Sequence, residues 1–208
     1  MKLIVGLGNP GGQKASDVKL LVGFGNPGIE YQFTPHNIGF LAIDRVAEKC
    51  GVMVDNRLCK ALTARARIGK EEVLLAKPET YMNLTGLSVL ELVRKYEVDP
   101  QKDLLVVYDE LDLPLGTIRI RERGSSAGHK GMESVMGALG TEEVPRMRLG
   151  IAPDHPVKDG IRYVLAQFKK SQLAALDEML EKAAEAIDVI VNEGISVAMN
   201  RFNRKEGT

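Results

Sequence analysis

Short apolar runs alternate with amphipathic stretches along this chain, and one run occurs twice. Residues 2–11, KLIVGLGNPG, return almost unchanged at 19–28 as KLLVGFGNPG. Each copy is a brief apolar segment ending in Gly-Asn-Pro-Gly, the pattern of a strand that delivers a tight loop. Beyond the second copy, Ile38, Leu41, Ala42, Val46 and Ala47 recur at helical spacing and predict a helix ending near Gly51. Residues 60–68 and 71–76 read as two strands around a Gly69–Lys70 turn. A second helix is expected from Thr85 to Tyr96, with Leu87, Leu90 and Val93 as its apolar stripe.

LLVVY, 104–108, is continuously apolar and predicts a central strand buried on both faces. TIRIRER, 117–123, alternates apolar residues with arginine, so one face is buried and the other charged. A helix is expected over 129–139, and RMRLGIA (146–152) and RYVLAQF (162–168) read as later strands. Ser171 is placed to cap a long helix with Leu173, Leu176, Leu180, Ala183, Ile187 and Ile190 inward; Asn192–Gly194 ends it before a short last helix. Strands alternating with helices predict an α/β fold, a three-layer single domain whose hairpin makes the central β-sheet mixed. A two-copy repeat is too short for a solenoid. One copy is the first strand of the domain and the other an added edge strand or tail.

Composition narrows this picture. The 208 residues suit one α/β domain, and 44% hydrophobic with 27% charged residues excludes bulk disorder. The start, MKLIVGLGNPGG, is broken by Gly and Asn too early for a signal peptide, and no apolar stretch approaches a membrane span. A cytoplasmic protein is expected. Cys50 and Cys59, with no CxxC, are expected to be buried thiols in a reducing compartment rather than a disulfide or metal site. Lys+Arg and Asp+Glu both total 28, so any affinity for nucleic acid must come from a local patch.

Candidate chemistry gathers in five clusters: GFGNPGIEY (23–31), TPHNIGF (34–40), ETYMNLTG (79–86), YDELDLP (108–114) and GSSAGHKG (124–131). Each lies at or just past the end of an expected element, where α/β proteins bind ligands. Of His36, His129 and His155, a lone histidine is more often structural or solvated than catalytic. His36 stands apart because it enters a helix, whose N-terminal dipole favours the neutral imidazole that a general base requires. Asp109 ends the buried LLVVY run, where a carboxylate is anomalous unless paired. Hydrogen-bonded to one ring nitrogen, it would fix the tautomer and leave the other nitrogen for water. Glu110 and Asp112 are its competitors, as solvated turn acids.

Asn26 and Asn83 offer uncharged amides that hold water or polarise a carbonyl, although Asn before Pro-Gly also serves turn geometry alone. GSSAG matches the G-x-S-x-G elbow, with Ser126, Asp154 and His155 in hydrolase order. The strand before it carries Arg119, Arg121 and Arg123, unlike a buried elbow strand, and no HGGG-type loop accompanies it, so a flexible Gly-Ser loop fits better. Between 117 and 130, Arg119, Arg121, Arg123 and Lys130 face a single acid, Glu122, and Arg146 and Arg148 follow on the next strand. They form either a solvated strand face or a phosphate-contacting patch.

Taken together, KLLVGFGNPGIEYQFTPHNIGF, KPETYMNLTG, VVYDELDLPLG and GSSAGHKG followed by RMRLGIA resemble bacterial peptidyl-tRNA hydrolases, in that family's order over residues 19 to 170. The resemblance implies hydrolysis of the ester between a peptide and the 3′-terminal ribose of tRNA. It implies His36 as general base, Asp109 as its stabiliser and Asn26 as the residue that distinguishes N-blocked peptidyl-tRNA from aminoacyl-tRNA. Tyr31, Tyr81 and Asn83 would bind near the 3′ end, with Lys130 beside them, and Arg119, Arg121 and Arg148 would grip acceptor-stem phosphates. Neither a metal nor another cofactor is implied, and a monomer with peptidyl-tRNA as its partner is expected.

In the family the turn runs directly into a Tyr and then the His-Asn pair. Only the second copy does so here, which matches Asn26 rather than Asn9. Residues 1–17 are then an extra segment before a catalytic domain of 18–204. Two positions depart from the family: Pro35 stands for an Arg, and Lys130 for an Asn, keeping a donor, losing an acceptor and adding charge. Two other functions stay open on these residues: an RNA-binding protein of the same fold without hydrolysis, and a serine esterase using Ser126.

Overall fold

The second copy of the repeated run forms β1 (Val18–Gly23), with Leu20, Leu21 and Val22 buried. In the computed structural model the described residues are 18–203; the extra segment assigned to 1–17, Asn9 within it and residue 204 lie outside them. A 3-10 turn at Pro35–Asn37 leads into α1 (Ile38–Cys50). Next come β2 (Asn56–Leu58), β3 (Ala61–Ile68), β4 (Glu71–Pro78), a 3-10 turn at Met82–Leu84 and α2 (Thr85–Tyr96). The rest is β5 (Leu104–Pro114), β6 (Ile118–Arg121), α3 (Lys130–Leu139), β7 (Arg146–Ala152), α4 (Gly160–Leu165), α5 (Leu173–Glu193) and α6 (Ile195–Phe202).

The strands form one sheet in the order β2-β3-β4-β1-β5-β7-β6. β1 runs parallel to β4 and β5, and β5 parallel to β7, while the β2–β3, β3–β4 and β6–β7 pairs are antiparallel. The sheet is mixed, as the hairpin predicts. Strand alternation divides the apolar residues into two cores. Leu21, Leu75, Leu105, Val107 and Leu149 pack with α1 and α5, whereas Leu20, Val22, Leu74, Val106 and Tyr108 pack with α2 and α3. Helices thus cover both faces, the three-layer arrangement that central strands apolar on both sides require. Among the described residues no helix is long and apolar enough to cross a membrane.

Several expectations are corrected. RYVLAQF is helix rather than strand over its first half: Asp159 caps α4 by accepting from Arg162 N at 3.0 Å, and Ile161, Val164 and Leu165 follow helical spacing. Ser171 is not the cap of α5, which begins at Leu173 after a 3-10 turn, Lys170–Gln172, and Leu173 itself is exposed. Leu87 is exposed too, while Ser88, Val89, Leu92 and Val93 turn inward. The cause is Gly86, which lies so close to α3 that an added Cβ would stand 2.1 Å from Ser134 O. Close helix–helix contact through the small residue outweighs burial of one leucine. Asp109 and Glu110 lie inside β5, which continues to Pro114. Cys50 and Cys59 are free, but only half-buried; what burial there is raises the pKa of the Cys50 thiol.

Candidate active site

β1 and α1 meet at the carboxyl ends of the parallel strands. There Phe24 N donates to Val107 O at 2.9 Å, and a Cβ on Gly39 would stand 2.3 Å from Val107 O and 2.4 Å from Phe24 N. Glycine at this position lets the first turn of α1 sit directly on the strands. Pro35 opens the preceding turn, where its fixed φ suits the first helical position. His36 is thereby carried over Asp109, midway along β5. Its Nδ1 lies 2.9 Å from Asp109 Oδ1 and 3.1 Å from Oδ2, across 73 residues of sequence. With Nδ1–H donating to the carboxylate, Nε2 presents its lone pair and has no hydrogen-bond partner among the described residues.

Neighbouring asparagines are locked by the backbone. Asn37 Oδ1 accepts from Asn26 N, and Asn37 Nδ2 donates to Asn26 O, both at 2.9 Å. Met82 N donates to Asn26 Oδ1 at 2.8 Å. A backbone donor can only meet the oxygen, so the Asn26 amide is oriented, with Nδ2 left as a donor. Asn26 is therefore more than a turn residue.

A third side chain completes the group, and residue-by-residue reasoning on the sequence missed it. His129 Nε2 lies 3.0 Å from Asp109 Oδ1, so two imidazoles converge on one carboxylate oxygen. His129 also caps α3, its Nδ1 accepting from Met132 N at 3.3 Å. An accepting Nδ1 carries no proton, which puts the ring proton on Nε2, facing Asp109. The available signal was a histidine at the very start of the helix expected over 129–139; the structure makes it the cap, a position that usually holds Ser, Thr, Asp or Asn. Asp109 is only 5% exposed. Burial opposes its ionisation, but His129 and His36 outweigh it, through charge when their rings are protonated and through hydrogen bonds in either state, and hold the carboxyl well below the usual carboxylate range.

These residues line a cleft of about 640 Å³. Asn26, His36, Asp109 and His129 meet there with the exposed Tyr81, Asn83 and Lys130 and with Ser126, Ala127 and Gly128. Leu111 and the α4 residues Ile161, Val164 and Leu165 supply an apolar wall. Lys130 pairs with Glu133 at 2.9 Å on the first turn of α3. Tyr31, Arg119, Arg121 and Arg148 do not line the cleft. Arg148 Nη1 bonds Glu110 Oε2 at 2.9 Å, so Glu110, a competitor of Asp109 in the sequence, is a partner of arginine instead.

The basic face beside it is smaller than the sequence suggested. Arg146 is 2% exposed and donates to Val144 O, Gly124 O, Ser125 O and Glu142 O at 2.7–2.9 Å. It is an internal clamp on the Gly-Ser loop, and Arg123 pairs with Glu143. Among the described residues Arg119 and Arg121 have no ion-pair partner. Arg146→Met strands four carbonyls around an apolar side chain, and we expect a loss of about 3 kcal/mol in urea unfolding at pH 7. An unchanged midpoint would show the clamp to be dispensable.

The elbow arrangement is not formed. Ser126 Oγ accepts from Gly128 N, and among the described residues no hydrogen bond links it to a histidine side chain. The left-handed residue of this loop is Ala127 (φ 49°), not the serine. Asp154 and His155 bond each other on the surface. A metal fits the cluster poorly. Donor atoms of His36, Asp109 and His129 lie within 4.8 Å of one another, but ligation through His129 Nε2 would move its proton to Nδ1, against the Met132 N–H.

An α/β sandwich with a carboxylate–imidazole group at the carboxyl ends of its parallel strands defines the class to which this protein belongs. Residues 20–208 match the model of the peptidyl-tRNA hydrolase family, and the chain belongs to that family. A peptidyl-tRNA hydrolase of Koribacter versatilis is 61% identical over 99% of this chain and 94% of its own length. That of Acidobacterium capsulatum is 55% identical over 99% and 97%. The crystal structure of the peptidyl-tRNA hydrolase from Acinetobacter baumannii has a TM-score of 0.82 at 32% identity, covering 92% of this chain and 97% of that one.

Proposed function

We infer that this chain hydrolyses the ester between the peptide and the 3′-terminal ribose of peptidyl-tRNA, freeing tRNA for translation, with water activated by His36. The observation that carries the mechanism is the grip of Asp109 on His36 Nδ1, which leaves Nε2 as the base, lining the cleft without a hydrogen-bond partner among the described residues. As water attacks the ester carbonyl carbon, Nε2 takes its proton; the carbonyl–ribose oxygen bond then breaks, and the imidazolium returns the proton to the ribose oxygen. Asp109 stays ionised throughout and steadies the imidazolium. Asn26 Nδ2 donates to a carbonyl of the peptide, and Asn83, which lines the same cleft, is a second amide that stabilises developing negative charge.

Tyr81, Asn83 and Lys130 meet the 3′ end at the mouth of the cleft. Arg119 and Arg121, free of ion pairs among the described residues, contact acceptor-stem phosphates. Arg148, tied to Glu110, contributes less, and Tyr31, outside the cleft, takes no part in the chemical step. The proposed setting is the cytoplasm, where the substrate is made, with the enzyme acting as a monomer. The Ser126 esterase loses its support with the missing Ser–His bond. The RNA-binding alternative rests on Lys130 alone.

Turnover of N-acetyl-aminoacyl-tRNA separates the two readings: release of the acyl group is expected, whereas tight tRNA binding without release would favour the binder. The proposed catalytic unit is residues 18–204, and a family match over residues 20–208 supports its start. Removing residues 1–17, with a Met placed before Val18, is expected to leave kcat/KM in this assay within about twofold. A loss beyond tenfold would make the first copy of the repeat part of the working enzyme.

A further inference from the structure

We propose that His129 is a positioning residue for the hydrolysis, holding Asp109 in the orientation that aims His36. The inference rests on His36 acting as the base. Asp109 Oδ1 accepts from His36 Nδ1 at 2.9 Å and from His129 Nε2 at 3.0 Å. Without His129, the carboxylate has one side-chain donor among the described residues, and the Asp109 plane is free to rotate about its last torsion with His36 following it. With two donors converging from the turn before α1 and from the cap of α3, that torsion is fixed from two segments.

His129 is itself held at several points. Its ring lies against Tyr108, with centroids 4.6 Å apart, and against Phe24 at 5.9 Å. Its backbone N donates to Ser126 O at 2.9 Å, and its O accepts from Glu133 N at 2.9 Å. Its Nδ1 takes the Met132 N–H. The start of the same loop is clamped by Arg146 through Gly124 O and Ser125 O. The loop and the first turn of α3 therefore form a rigid mount, and the Nε2–H is the tip it delivers. A productive geometry within a fraction of an ångström is what such supporting contacts supply to a general base.

The two nitrogens of His129 do different work, and two substitutions separate them. In His129→Asn the short amide still caps α3 but falls short of Asp109. In His129→Gln the longer amide reaches Asp109 with an N–H and caps α3 poorly. We expect His129→Asn to keep its melting temperature within about 3 °C of the parent and to lose about tenfold or more in kcat, with KM within about twofold. His129→Gln is expected to melt lower, yet to recover kcat to within about threefold of the parent. Activity that follows melting temperature instead, with His129→Asn fully active, or an equal loss of kcat in both variants, overturns the positioning role. His36→Ala assayed alongside keeps the two ideas apart. If it turns over normally, the base assignment fails and takes this inference with it; if it is inactive while His129→Asn is fully active, only the role of His129 fails.

Discussion

Replacing His36 with alanine lowers kcat/KM for N-acetyl-aminoacyl-tRNA by about a thousandfold, while Ser126→Ala stays within about threefold of the parent. A thousandfold corresponds to about 4 kcal/mol of transition-state stabilisation, the scale expected when a positioned general base is removed. The variant should remain folded. Among the described residues the only side chain to which His36 is hydrogen-bonded is Asp109, which keeps His129 as a donor, so the buried carboxylate is not orphaned. KM changes little because the amides of Asn26 and Asn83 and the rim of the cleft are untouched. Retention of more than a tenth of the parent activity would remove His36 from the mechanism, and a matching loss in Ser126→Ala would return the serine to it.

Asp109→Asn has two effects, one on rate and one on stability. An amide in place of the carboxylate turns a donor toward His36 Nδ1, loosens the tautomer and withdraws the charge that steadies the imidazolium. The expected loss in kcat is about a hundredfold or more. The effect on stability follows from the charge. The folded carboxyl is held below its ordinary range, against its burial, by His129 and His36. A carboxyl depressed on folding contributes stability above its unfolded pKa, about 3.9, and that contribution fades as pH falls toward the folded value. The parent should therefore exceed Asp109→Asn in urea midpoint at pH 7, and the gap should narrow when unfolding is repeated at pH 3. A gap of equal size at both pH values would mean that packing, not the ionised carboxylate, separates the two proteins.

Local pattern alone determined much of this protein. The 3.6-residue spacing after Pro35 placed α1, the continuous LLVVY run placed β5 at the centre, and the Gly69–Lys70 turn placed the β3–β4 hairpin. Such features arise between residues near one another in the chain, so they are legible before folding. Motif order did the same for His36, Asp109 and Asn26, which the fold brings to one cleft. What tertiary structure alone decided was which member of a chemically equivalent pair does which task. Arg146 and Arg148 share a strand face by alternation, yet one is buried on carbonyls and the other pairs with Glu110, because the 124–129 loop wraps only the first. His129 and His155 are both histidines beside loops, but only the cap position at α3 carries an imidazole to Asp109. Leu87 lost its place in the core to the contact through Gly86, and RYVLAQF became helix once Asp159 capped it. Those outcomes depend on distances between segments far apart in sequence, and hydrophobic periodicity along one chain contains no term for them.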